Sequence, residues 1–238
     1  MIEISEDHQI SIDKRIKSLL LYKKKIHKNS TCCNILKMMY PDAKLTARQI
    51  THQMNKKPYF YTKKIVSQMQ SDNFLYHDGK KYNRVYCLSP IGRWFAVCAE
   101  LDYISFQSLC ILAQVYDRAK RYPNHRESFY MISKFRNFFD KSYNEDNSCA
   151  SAIYTNSNII KSINQLTDRN LVYRANSDFL KITSTTFEFL YKKYDDELLS
   201  LVEWCTRISE KCRKEHLNNL KIDPKIKHLM SSGLSFSS

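Results

Sequence analysis

Apolar residues recur every three or four positions through most of the chain, which predicts helices; in one stretch an Asp-Gly turn signal between two apolar runs predicts paired strands. Ile12, Ile16, Leu19, Leu20 and Ile26 form one helical stripe, sharing residues 10–28 with seven lysines and arginines. Ser30 or Thr31 caps a second helix (Cys32, Ile35, Leu36, Met39) ending at Pro41, and Thr46 caps a third carrying Ile50 and Met54. From about Tyr59 to Ser71 the spacing of Thr62, Ile65, Val66 and Met69 predicts a helix that buries these four and turns Lys63, Lys64, Ser67 and Gln68 outward. Tyr59 and Phe60 read as core or staple residues. A hairpin follows, with strands over 74–77 and 80–88 around the tight-turn signal Asp78-Gly79. Ser89-Pro90-Ile91-Gly92 then opens another helix.

Displaced by 97 residues, Val66, Met69, Phe74 and Leu75 fall on Ile163, Leu166, Leu171 and Val172, and Gln68, Asn73 and Tyr76 fall on Gln165, Asn170 and Tyr173. The chain therefore carries an internal repeat. Helices over 105–121 and 126–140 are expected to precede the repeated helix, with 141–152 a polar loop. Asn176-Ser177 is read as a shorter second hairpin turn, and Phe179 to Thr186 as its return strand and the following turn. From Thr186 to about Leu220, Phe187, Leu190, Tyr194, Leu198, Leu201, Val202, Cys205, Ile208 and Cys212 predict one long helix.

The order helix, helix, turn, helix, hairpin, Leu88-Ser89-Pro90-Ile91-Gly92, helix resembles the winged helix-turn-helix of MarR-like and related archaeal regulators. In those families the segment after the recognition helix reads approximately L-x-x-x-G-L-V, then hairpin, then L-T-P-x-G; here Asn73 replaces the glycine and Ser89 the threonine. Asparagine accepts the left-handed conformation better than most residues. The resemblance spans about residues 31–100. It implies a mainly α fold with small β-hairpin wings, arranged as two tandem winged helix-turn-helix domains with long terminal helices. The expected divisions are 1–30 (basic helix), 31–102 and 103–186 (the two domains), 187–222 (long helix) and 223–238 (disordered tail). The second copy lacks the glycine and proline of the pattern and rests on the internal match.

Composition narrows the chemistry. Only 3 glycines occur in 238 residues, where average usage predicts about 17, so no Gly-rich phosphate loop can be written and most nucleotide-dependent enzymes are disfavoured. The formal charge of +14 favours a polyanion, nucleic acid first. It is uneven, with 18 basic against 9 acidic residues in 1–102 and 20 against 15 in 103–238. The 8 cysteines form no CxxC pair and read as reduced, buried small hydrophobes. Cys212 and His216 are half a zinc site with no second half, so no metal is expected. Cys32, Cys33, His52 and Asp42 make no nucleophile arrangement specific enough to assign, and neither catalytic residues nor a cofactor are expected. Without a membrane-length apolar run or a signal-like start, the chain is expected in the cytoplasm, associated with the nucleoid, or in the nucleus of a eukaryote.

These observations predict a non-enzymatic, sequence-specific double-stranded DNA-binding protein, a transcriptional regulator by resemblance. Lys56, Lys57, Lys63, Lys64, Lys80, Lys81 and Arg84 should meet phosphates, and Tyr61, Ser67 and Gln68 should reach base edges or thymine methyls. In the second copy Asn156, Ser157, Asn158 and Lys161 hold the outward positions; nearly uncharged, they make it the weaker DNA reader or a protein-contact module. Replication initiation on a plasmid or viral genome and a winged-helix interaction scaffold are the alternatives. The long helix's stripe is wider than one small core needs, so a homodimer through residues 187–216 is expected; the alternative is that the stripe packs within the chain.

Overall fold

The computed structural model describes residues 30–54, 58–78, 84–123, 130–131, 156–176 and 179–219, with side chains placed for all of these except 78, 130–131, 156–158 and 208–219. The chain is mainly helical, with two small antiparallel sheets. The expected basic helix over 10–28, the loop over 141–152 and the tail after 223 lie outside the described residues.

Helix α1 (Thr31–Met39) starts where Ser30 Oγ accepts from the Cys33 amide at 3.2 Å and stops at Tyr40, before Pro41. It buries Cys33, Ile35, Leu36 and Met39. Strand β1 (Leu45–Thr46) leads into α2 (Ala47–Gln53) through a reciprocal cap. Thr46 accepts from the Gln49 amide, and the Gln49 side chain accepts from the Thr46 amide at 2.8 Å. Helix α3 (Tyr59–Ser71) buries Thr62, Val66 and Met69, with Ile65 half-buried beside them. Strands β2 (Leu75–Asp78) and β3 (Val85–Leu88) pair antiparallel, and β1 joins the far side of β3 to give the order β1-β3-β2. The register sets Asp78 opposite Val85. Asp78 is thus part of the ladder, so Asp78-Gly79 does not close the hairpin as a two-residue turn; residues 79–83 of the expected hairpin lie outside the described residues.

Helix α4 (Pro90–Glu100) is capped by Ser89, whose Oγ accepts from the Gly92 amide at 3.0 Å. A Cβ at position 92 would stand 2.1 Å from the Phe74 carbonyl oxygen, so only glycine lets α4 approach the start of the hairpin this closely. Ser89 also donates its hydroxyl hydrogen to the Asn73 carbonyl, tying the start of α4 to the end of α3.

A second set of elements follows in a similar order, without a counterpart of α2 among the described residues. Helix α5 (Phe106–Arg121) precedes β4 (Tyr130–Met131), α6 (Asn156–Asp168), β5 (Tyr173–Arg174), β6 (Phe179–Lys181) and α7 (Ser184–Asn219), and its sheet has the corresponding order β4-β6-β5. Because Tyr130 and Met131 pair with Leu180 and Phe179, the expected helix over 126–140 does not run through them. The ends of α3 and α6 match bond for bond. Asn73 and Asn170 have φ of 60° and 56°. In one, the Phe74 amide donates to Met69 at 2.8 Å and the Asn73 amide to Gln70 at 3.0 Å. In the other, Leu171 donates to Leu166 at 3.0 Å and Asn170 to Thr167 at 2.9 Å. Both are left-handed helix ends of the 6→1, 5→2 kind. Thr186 donates to the Asn170 carbonyl as Ser89 does to Asn73, but α7 begins a turn earlier than α4, capped by Thr183.

One contiguous core runs from Ile35 to Cys205. Helix α7 packs on α5 and α4, and its stripe buries Leu190, Tyr194, Leu198, Leu201, Trp204 and Cys205 inside the same chain. That leaves, among the described side chains of this helix, Phe189 and Tyr191 as the large apolar groups most exposed to a second copy. The helix is kinked at Tyr194 (φ −138°, ψ 15°), where the Tyr40 hydroxyl donates to the Lys193 carbonyl at 3.1 Å. Just past the kink, Asp195 accepts from Tyr116 at 2.6 Å and from Lys120 at 2.7 Å, fastening α7 to α5. Glu197, polar within the stripe, is buried against Arg93 at 3.5 Å. None of the helices among the described residues is long and apolar enough to cross a membrane.

Candidate nucleic-acid interface

The outward face of α3 carries the densest group of expected contact residues. The pattern that buries Thr62, Val66 and Met69 necessarily exposes positions 60, 61, 63, 64, 67 and 68, and Tyr61, Lys63, Lys64, Ser67 and Gln68 are all exposed. No acidic residue lies within α3, and its two lysines make this face cationic. Asp72, just past the end, accepts from the Gln68 side-chain amide at 3.0 Å and so holds that amide in place. Helix α3 packs on β2, which brings the hairpin beside it. Arg84 is exposed immediately before β3. Lys56, Lys57, Lys80 and Lys81 lie outside the described residues.

The sequence reading of Tyr59 and Phe60 as core residues is corrected. Phe60 is 83% exposed and Tyr59 40%, because the turn that buries Thr62 points residue 60 to the opposite side of the helix. Tyr76, on β2, is 51% exposed and was not expected at the interface either. Its recurrence as the exposed Tyr173 at the 97-residue displacement is the signal that marks it.

The second unit places the corresponding helix in different surroundings. Lys161, which matches Lys64, is exposed, and Asn156, Ser157 and Asn158 form the first turn of α6 with side chains outside the described set. Where the first unit has Lys63, the second has Ile160, 46% exposed. Gln165, the match of exposed Gln68, is turned into the junction of α6 with the linker before α5 and the first turn of α5, inside its own unit. Its carbonyl oxygen accepts from the Ser105 amide at 2.9 Å and from the Ser108 hydroxyl at 2.6 Å. Arg169 closes the same junction by donating to the Asp102 carbonyl at 2.9 Å. One flank of α6 is therefore occupied by the linker from α4 to α5.

Among the described residues, the cysteine, acidic and metal-ligand candidates are placed as follows. Burial, with Cys33 and Asp72 nearby, pushes the Cys32 thiol up to about 12, and burial also raises Cys33, so neither supplies a thiolate at neutral pH. Asp42 is engaged by Arg93. The described cysteines are all free thiols. Among the described residues no three His, Cys, Asp or Glu side chains are placed to hold a metal; the side chains of Cys212 and His216 lie outside them. Comparison with protein-family models, with curated proteins and with solved structures returned no match.

Proposed function

We propose that this chain is a sequence-specific double-stranded DNA-binding protein acting in transcriptional regulation, built from two tandem winged helix-turn-helix units. In this reading α3 is the recognition helix and β2–β3 the wing of the unit that engages DNA. The observation that carries it is the exposed α3 face: Lys63 and Lys64 for phosphates, Ser67 and Gln68 for base edges, and no carboxylate within the helix to repel the backbone. Arg84 with Lys56, Lys57, Lys80 and Lys81 would extend the cationic surface along the same unit.

Exposed Ile160 in place of Lys63, and Gln165 committed to the junction, favour a different role for the second unit. It offers a surface for protein contact, with Lys161 as a described, exposed cation. Fluorescence anisotropy on duplex DNA tests the assignment. Lys63→Glu with Lys64→Glu should weaken binding at least a hundredfold while the circular dichroism spectrum is unchanged, and Lys161→Glu should cost less than about threefold, as for a single peripheral phosphate contact. Equal losses from the two units would overturn this division of labour.

A further inference from the structure

We propose that Phe60 is a base-stacking wedge, so that the preferred ligand of this interface is duplex DNA containing an unpaired or readily unstacked step. The inference rests on the DNA-binding reading above and deepens it. Phe60 sits in the first turn of α3, the end that a recognition helix presents to base edges, and is 83% exposed. It shares a helix face with Lys63 and Lys64 one turn on and Ser67 two turns on, which sets an apolar ring directly ahead of two phosphate-binding cations. Tyr59 meets it edge-on, with ring centroids 6.3 Å apart.

A phenyl ring has no hydrogen-bonding atom, so it cannot read a base edge. It can stack on a base face or enter a base step as apolar wedges do. The cations beside it select a polyanion rather than an apolar protein surface. The internal repeat sharpens the point: the counterparts of Tyr59, Phe60 and Tyr61 are Asn156, Ser157 and Asn158, so the aromatic turn belongs only to the unit whose helix keeps both lysines.

The full chain should be titrated onto a duplex and onto the same duplex with a short central bubble containing 2-aminopurine. Binding to the bubble should be roughly tenfold tighter, the scale of one base–aromatic stack, with a change in 2-aminopurine emission. Phe60→Ala should abolish both the preference and the emission change. Phe60→Trp should retain both; residue 60 is exposed, so neither variant threatens the fold. Equal affinity for the two DNAs and unchanged emission, with the Lys63→Glu, Lys64→Glu loss still seen on duplex, would overturn the wedge and leave the DNA-binding reading standing. Absence of binding to either DNA would overturn both.

Discussion

Gly92→Ala is a test of how closely α4 must approach the hairpin. The added methyl would collide with the Phe74 backbone, which cannot swing aside as a side chain does, so a loss of roughly 1–3 kcal/mol is expected from the shift of the urea midpoint. The same position was legible in the sequence as the glycine of Leu-Ser-Pro-x-Gly, although its reason, contact with a carbonyl eighteen residues earlier, was not. Asp195 was not legible at all, since its partners Tyr116 and Lys120 lie on another helix. Burial works to raise its pKa, but hydrogen bonds from Lys120 and Tyr116 and the charge of Lys120 prevail and hold it below the ordinary aspartate value of 3.8. The folded state therefore takes up this proton less readily than the unfolded chain. The stability it contributes is complete above the unfolded value and is lost as pH falls through the folded one. Urea midpoints of the parent and Asp195→Asn should differ near neutral pH and converge well below pH 4; a gap that persists undiminished in acid would contradict the assignment.

Helices with capping residues and a 3.6-residue stripe were readable, because both signals are local: Ser30, Thr46 and Ser89 cap where expected, and Asn73 takes the left-handed conformation. Strands β1 and β4, two residues each, carry no periodicity, and β4 lay inside a segment whose apolar spacing imitated a helix. Phe60 was misread because hydrophobicity, not its angle relative to Thr62, was allowed to decide. Position 68 and its counterpart 165 show the limit of a repeat: the residue is the same, but one is exposed and the other bonds to the start of α5. Gln165→Ala should therefore cost roughly 1–1.5 kcal/mol by removing its bonds to the Ser105 amide and the Ser108 hydroxyl. Gln68→Ala should stay within about 0.5 kcal/mol, as exposed substitutions do. Equal effects in parallel thermal or urea unfolding would show that the junction does not depend on Gln165.

The assembly of the two units was the least legible feature, because it depends on contacts between α7, α5 and α4 that join distant parts of the chain. The long stripe of α7 suggested a dimer from the sequence; as far as Cys205 it is buried in the intramolecular core, and the side chains of 208–216 lie outside the described ones. That arrangement leaves the α3 face of the first unit open to solvent, with its lysines unshielded by acidic residues of their own helix. Phosphate neutralisation there predicts a specific thermodynamic signature. Affinity for duplex DNA, measured across a series of salt concentrations, should fall with a log–log slope near −5 if about six phosphates are neutralised. Lys63→Glu with Lys64→Glu should flatten that slope by about 2. A parent slope shallower than about −2, or one that the double substitution leaves unchanged, would contradict an interface built on α3.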